Sequence, residues 1–284
     1  MDKKIFLLVT KKDKINSPIF SEIVKFLQSI GGEIYCIPEK EEYFKNSNIS
    51  GLPSNYKKED IYLAITMGGD GTTLKAAKFL YGSNVPILGI NLGTLGYLAD
   101  VDPADAIDAI KLFINGSSTI EKRYCLSVKY NDYVDIAINE AVIFRGNASH
   151  IIRAKVKING QDTMNIRVDG IIVSTPTGST AYNLSAGGPI ITPLSRTLVL
   201  TPICAHSLSA RPIVVADDSL IEIYVDRKDN QEYVSLDVDG KNICKLTDDL
   251  PITVKIAEKQ VLLVRTKQYN FYERLQNKLM LINQ

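Results

Sequence analysis

The chain has 284 residues, enough for one large domain or two ordinary ones, and its 45% hydrophobic content is enough for a proper core. Its 33 basic and 32 acidic side chains nearly cancel to a net charge of +1, so no overall field points to nucleic acid or to an anionic membrane as a partner. The apolar run inside Met1 to Thr10 is too short for a signal peptide and leads into Lys11-Lys12-Asp13-Lys14, and no stretch approaches the roughly 20 apolar residues of a membrane span, so a cytoplasmic location is expected.

In chain order, Ile5 to Val9 reads as a buried strand, and Ser17-Pro18 supplies the N-cap and first-turn signal for an amphipathic helix over Ile19 to Ile30, closed by Gly31-Gly32. Glu33 to Ile37 is the next strand. Residues 39–60 are polar, with Asn46, Asn48, Gly51 and Pro53, and read as a mobile excursion. The apolar strand Ile61 to Met67 then runs into Gly68-Gly69-Asp70-Gly71-Thr72 and the helix-like Thr73 to Leu80. Glycines allow positive φ and close backbone approach, so the loop amides and the positive helix end can hold a phosphate. Asp70 is the odd member: a carboxylate beside phosphates is repelled unless it faces a metal ion or a hydroxyl that must lose its proton. The loop therefore suggests phosphoryl transfer to an alcohol, with a tight strand-to-helix turn as the alternative.

Val85 to Ile90 is another apolar strand, and Pro103 to Asn115 a helix ending at Gly116. Strands alternating with helices imply a parallel sheet with ligands at the carboxyl ends of its strands. From Arg123 the pattern changes to short runs rich in Val, Ile and Tyr: Leu126 to Tyr130, Val134 to Phe144, Ile151 to Ile158 with an Asn159-Gly160 hairpin turn, Ile166 to Ser174, Ile213 to Val215, Leu220 to Val225, Tyr233 to Val238 and Ile252 to Arg265. Tyr269 to Leu281 is helical again, with Phe271, Leu275 and Leu279 on one face. The expected organisation is an α/β + β chain: an N-terminal Rossmann-like parallel-sheet domain over 1–118, a mostly β, sandwich-type domain over 119–265, a cleft between them, and a terminal helix, about 266–284, returning to the first domain.

Cys36, Cys125, Cys204 and Cys244 lie far apart and read as buried, reduced thiols. With only His150 and His206 present, a protein-built zinc cage is not expected, and any divalent metal should arrive with a substrate. Two further groups combine polar and glycine residues. Asn139-Glu140 interrupts an apolar strand, where a Glu must reach solvent, a partner or a ligand. Arg167 to Pro189 leads from a strand into a stretch dense in small hydroxyls and backbone donors. That surface suits a nucleoside, with Tyr182 offering a flat apolar face; a long solvated loop is the alternative.

The Gly68 to Thr72 loop, Asn91 to Leu98, Asn139-Glu140, Asp169 to Pro189 and His206 to Pro212, in this order over nearly the full chain, resemble the ATP-dependent NAD kinase family. The glycine loop alone is shared with diacylglycerol, sphingosine and 6-phosphofructokinases; Thr175 to Pro189 is the more specific block. The resemblance implies transfer of the ATP γ-phosphate to the 2′-hydroxyl of the adenosine ribose of NAD, giving NADP. It implies Asp70 as general base, Mg²⁺ or another divalent cation on the ATP, and Gly68, Gly69, Gly71 and Thr72 around the phosphates. Lys75, one turn into the helix, reads equally as a phosphate contact or an ordinary surface lysine. Tyr97, Asn139, Glu140, Arg167 and Asp169 are implied at the nucleotide, Asp169 toward the NAD of a neighbouring subunit in a homodimer or homotetramer. Thr180, Ala181, Tyr182, Asn183, Leu184 and Ser185 would hold adenine and ribose, and His150 matches a site position in some members. Asp239-Gly240-Lys241 departs from the Asp-Gly-Gln of many members, which leaves Lys241 as a candidate phosphate contact.

Overall fold

A computed structural model of the chain describes residues 4–45, 47, 49–93, 96–146, 151–226, 234–266 and 269–279. The chain divides into two units, residues 1–122 with 261–284, and residues 123–260.

Ile5–Thr10 is buried at all six positions, as a strand covered on both faces requires. It sits third in a seven-stranded sheet ordered Ser50–Gly51, Glu33–Cys36, Ile5–Thr10, Ile61–Gly68, Pro86–Asn91, Val261–Arg265, Thr119–Arg123. The pairings from Ser50–Gly51 through Val261–Arg265 are all parallel. From Ile5–Thr10 the chain builds outward in one direction, then returns to lay Ile61–Gly68 on the opposite side. The sheet therefore reverses its direction of growth between these two strands, where diverging carboxyl ends open a ligand crevice in doubly wound folds. The glycine loop leaves the second of them. Helices Pro18–Ser29 and Ala106–Ile114 bury Phe20, Ile23 and Leu27, and Ala106, Ala109 and Ile110, at helical spacing.

The second unit holds two six-stranded antiparallel sheets that share one apolar core, with Val128, Val156 and Ile223 from one sheet and Ile171, Leu198 and Leu236 from the other.

Four expectations need correction. Residues 39–45 and 49–60 are anchored rather than a mobile excursion: Phe44 and Ile49 are buried, and Ser50–Gly51 pairs with Tyr35–Cys36. Thr119–Arg123 and Val261–Arg265, assigned from sequence to the β-rich domain, are instead strands of the parallel sheet. Two runs that read as single strands each divide between the antiparallel sheets, at Ile138-Asn139 and at Asp169, because their middle residues are held by side chains from elsewhere in the unit. Cys204 is exposed, whereas Cys36, Cys125 and Cys244 are buried free thiols. The central strand Thr197–Ile203 escaped the sequence reading because Pro202 interrupts it, paired with Ile171.

The late strand carries Arg265, 3% exposed. Its guanidinium donates to Asp100 at 2.7 Å, to Glu121 at 3.0 Å and to the Tyr97 carbonyl at 2.8 Å, and lies 3.8 Å from the Tyr269 ring centroid. Arg265→Ala would leave Asp100 buried without its cation. We expect a loss of about 3–5 kcal/mol of stability, read as a lowered urea midpoint, with Arg265→Lys losing less.

Candidate active site

The residues following Ile61–Gly68 turn directly into the helix Asp70–Leu80, with Gly69 as N-cap in extended geometry, φ −104°. None of the loop glycines has positive φ, so conformational freedom is not what glycine provides here. Gly68 is buried, and a Cβ on it would collide with the Thr72 side chain. Gly69 and Gly71 face open space, where a Cβ would meet nothing within 4 Å. The Thr72 and Thr73 amides already donate to the Gly69 carbonyl at 2.9 and 3.3 Å, which leaves the Asp70 and Gly71 amides ahead of them as the ones open to the close approach of an anion.

Asp70 is the first residue of that helix, and its carboxylate turns toward residues 97–99. Oδ2 accepts from the Tyr97 amide at 2.9 Å, and Oδ1 accepts from Leu98 at 2.9 Å and Ala99 at 3.0 Å. Gly96 lies so closely against it that a Cβ there would overlap Oδ1. A carboxylate offers about four acceptor positions, so one on Oδ2 stays open. The side chain is 31% exposed, so that position is reachable, and the Lys278 ammonium lies 4.0 Å from the same oxygen. The terminal helix Phe271–Leu279 thus contributes to this site: Phe271 packs on Tyr97 at 5.9 Å and Lys278 lies 4.5 Å over the Tyr97 ring. Burial, with Asp70 second, pushes the Tyr97 phenol pKa up. The Tyr97 hydroxyl and the Asn91 amide nitrogen are buried without a hydrogen-bond partner, two polar groups left over beside the loop.

The second unit uses the same device. Asp239, at positive φ in the Asp239-Gly240 turn, accepts from the amides of Ile138 at 2.9 Å, Asn139 at 2.8 Å and Glu140 at 3.2 Å. Thr175 grips the other side of this segment. Its hydroxyl donates to the Ile138 carbonyl at 2.7 Å and accepts from Gly178 N–H at 3.0 Å, while its own amide donates to the Asn139 carbonyl at 2.9 Å. Gly178 is required by contact, since a Cβ would collide with the Asn139 carbonyl. Glu140 emerges from this clamp 6% exposed, with Oε2 lacking any partner. Burial, reinforced by Asp239 and partly offset by the Tyr182 amide, pushes its carboxyl pKa up to about 8.

The structure separates the other expected residues. Asn183 is fully buried and spent internally: its amide nitrogen donates to the Ser179 and Pro189 carbonyls at 3.2 and 3.1 Å, and its oxygen accepts from Thr201 at 2.6 Å. Both of its donors are thus committed and the side chain is fully out of reach of solvent, so it shapes the segment around it. Asp169 is paired with Arg145 at 2.9 Å and helps hold the sheet crossing, while Arg167 is exposed. Tyr182 is 41% exposed and presents its ring; Ser185 is exposed, and Thr180, Ala181 and Leu184 are half-buried around it. Lys75 and Lys241 are exposed. His150 lies outside the described residues, as do Thr94 and Leu95. Sequence reasoning missed Asp239 as an organiser of Asn139-Glu140; the only local signal was the Asp-Gly turn in which it stands. It also missed Arg123, 1% exposed, which donates to Thr177 Oγ1 at 3.0 Å.

Residues 6–118 match the ATP-NAD kinase N-terminal domain family and residues 138–266 the ATP-NAD kinase C-terminal domain family. The chain belongs to the ATP-NAD kinase family. An NAD kinase of Lachnoclostridium phytofermentans is 39% identical over 286 residues, covering 97% of this chain and 98% of its own. One of Francisella tularensis subsp. novicida is 40% identical over 289 residues, covering 97% and 96%. Among solved structures, yeast NADH kinase complexed with NADH matches with a TM-score of 0.83 at 26% identity, over 99% of this chain and 89% of that one. An NAD kinase from Archaeoglobus fulgidus in complex with ATP shares the fold, with a TM-score of 0.75 at 23% identity over 97% of each chain. The chain is a kinase of the phosphotransferase class.

Glu140 gives a signature in stability. Its folded pKa of about 8 lies above the ordinary 4.5, so its contribution is complete below the unfolded value and is lost as pH rises through that window. The loss is about 1.4 kcal/mol for each pH unit between the two values. Melting temperatures across this range should fall more steeply for the parent than for Glu140→Gln; parallel curves would contradict the assignment.

Proposed function

We propose that this chain transfers the γ-phosphate of ATP to the 2′-hydroxyl of the adenosine ribose of NAD, yielding NADP and ADP, with Asp70 as the group that takes the hydroxyl proton. The observation that carries this reading is the open acceptor position on Asp70 Oδ2, on a carboxylate fixed by three amides beside the unobstructed Gly69 and Gly71.

A carboxylate so held has lost its rotational freedom, so a hydroxyl placed at the open position meets an acceptor already oriented. As the 2′-oxygen bonds to the γ-phosphorus, its proton passes to Asp70 Oδ2. The bond from phosphorus to the bridging oxygen breaks, and ADP leaves with that electron pair. Asp70 then returns the proton to solvent. The first helix amides and Lys75 offset the phosphate charge, and the divalent cation, Mg²⁺ first, enters as part of the donor on the ATP oxygens. Glu140 accepts from ribose hydroxyls through its unpartnered Oε2, Asn139 pairs with a base edge, and the exposed Tyr182 ring covers the adenine. The same reading carries a cytoplasmic protein working as a homodimer or homotetramer.

Incubation with NAD, ATP and Mg²⁺ should give NADP. Asp70→Asn should lower kcat by about 10²–10⁴-fold while NAD affinity by calorimetry stays near that of the parent. A folded variant that no longer binds NAD would place Asp70 in binding instead. Glu140→Ala should weaken NAD binding by about 1–3 kcal/mol, read as a raised KM for NAD with kcat less affected. An unchanged KM would remove Glu140 from the site.

A further inference from the structure

The terminal helix carries a cation to the Asp70 carboxylate. Phe271, Arg274 and Lys278 recur at i, i+3 and i+7, a spacing that lines one face of Phe271–Leu279. That face lies along residues 97–100: the Phe271 ring packs on Tyr97 at 5.9 Å, Arg274 donates to the Asp100 carbonyl at 2.9 Å, and Lys278 stands 4.5 Å over the Tyr97 ring. Just ahead of the helix, the Tyr269 ring lies 3.8 Å from the Arg265 guanidinium, which itself binds the Tyr97 carbonyl. The helix is thus fixed at several points to the segment that holds Asp70.

A lysine in the last turn of a helix has a reason to be there without any site, because it faces the negative end of the helix dipole. The dipole does not account for where this ammonium lies. Among the described residues its one carboxylate partner is Asp70, and the oxygen it approaches is Oδ2, which carries the open acceptor position, while Oδ1 is filled by two amides. The distance decides what the pair can do. At 4.0 Å it is beyond hydrogen-bond length, so Lys278 leaves the open position unfilled. The same gap allows a single oxygen atom to lie about 2.7–3.0 Å from both groups at once. A carbonyl placed there cannot donate to Asp70, and an amide nitrogen cannot accept from Lys278. A hydroxyl does both, and keeps a second lone pair for a new bond. Lys278 and Asp70 are 34% and 31% exposed, so the place between them is reachable.

We infer that Lys278 is the second contact of the phosphoryl-accepting hydroxyl, donating to its oxygen while Asp70 accepts its proton. The inference rests on the kinase reading above and adds to it a residue from the terminal helix. The hydroxyl proton passes to Asp70 Oδ2 as an oxygen lone pair bonds to the γ-phosphorus, and the bridging oxygen leaves with its electron pair. Lys278 keeps its three protons throughout. Its hydrogen bond along the other lone pair fixes the orientation of the attacking oxygen, and its charge faces the electron density that the departing proton leaves behind.

The test is steady-state NADP formation by the full chain and its Lys278 variants. Lys278→Met keeps an apolar stem on the Tyr97 ring and removes the ammonium. Its urea midpoint should match the parent, and its kcat should fall about 10²-fold or more with the KM values for NAD and ATP near the parent. Lys278→Arg should recover part of that loss. Added ethylammonium should restore turnover of Lys278→Ala in a saturable manner, whereas tetramethylammonium, a charge without an N–H donor, should not. In an Asp70→Asn background, Lys278→Met should cost little more, because both residues act on one oxygen. Parental kcat in folded Lys278→Met overturns the inference and leaves the kinase reading standing. If that variant is destabilised, the amine rescue decides, and equal rescue by both ammonium ions, or by neither, overturns the donor contact. A parent enzyme that forms no NADP overturns the kinase reading and this role with it.

Discussion

Both candidate site segments depend on one interaction: a single carboxylate collecting three consecutive backbone amides. Residues 97–99 and 138–140 present amide donors without the continuous ladder that a regular element would supply, and a buried amide left unpaired is costly. Asp70 and Asp239 answer that cost with charge-assisted bonds of 2.8–3.2 Å. The geometry explains glycines that conformation does not. Three amides can converge on one carboxylate only if the chain passes very close to it, and Gly96 passes so close to Asp70 that any side chain would collide. Gly178 meets the Asn139 backbone for a related reason on the other clamp.

The clamp at residues 97–99 is held from two sides. Asp70 attracts the amide ends of these peptide units, while Arg265 takes the carbonyls of Tyr97 and Leu98 at 2.8 and 3.3 Å. The peptide dipoles are thus aligned between an anion and a cation, and each charge fixes the polarity that suits the other. Asp100 and Glu121 fix the guanidinium in turn, and Arg274 donates to the Asp100 carbonyl at 2.9 Å. A carboxylate held this way is part of a fixed electrostatic layer, which limits the reorganisation that the proposed proton transfer to its open oxygen would require.

The architecture was legible because periodicity reports burial. The strand-to-helix order around Asp70 was legible from Ile61 to Leu80, although the helix begins at Asp70 and reduces the expected loop to Gly69; the hairpin at Asn159-Gly160 was legible too, and its two residues both adopt positive φ. What escaped was set by contacts distant in sequence. Nothing near Asn139 indicates that Asp239, about a hundred residues later, divides its apolar run between two sheets. Nothing in Val261–Arg265, a run of the same character as its neighbours, tells which sheet it joins. Asn183 shows the limit from the other direction. Its residue type suits a base edge, and only the burial of its three hydrogen bonds reveals that it serves the segment around it.

The insertion of Val261–Arg265 between Pro86–Asn91 and Thr119–Arg123 also orders events in time. During synthesis the parallel sheet must wait with a vacant lane and an unpaired edge until residue 265 has left the ribosome, whereas the intervening unit has every strand available by residue 260. The later-born strand brings Arg265 with it, so the Asp70 carboxylate gains its rear support only at that last step. The nascent first half is accordingly the aggregation-exposed stage of this chain's life, and the second unit is the part able to complete its own core first.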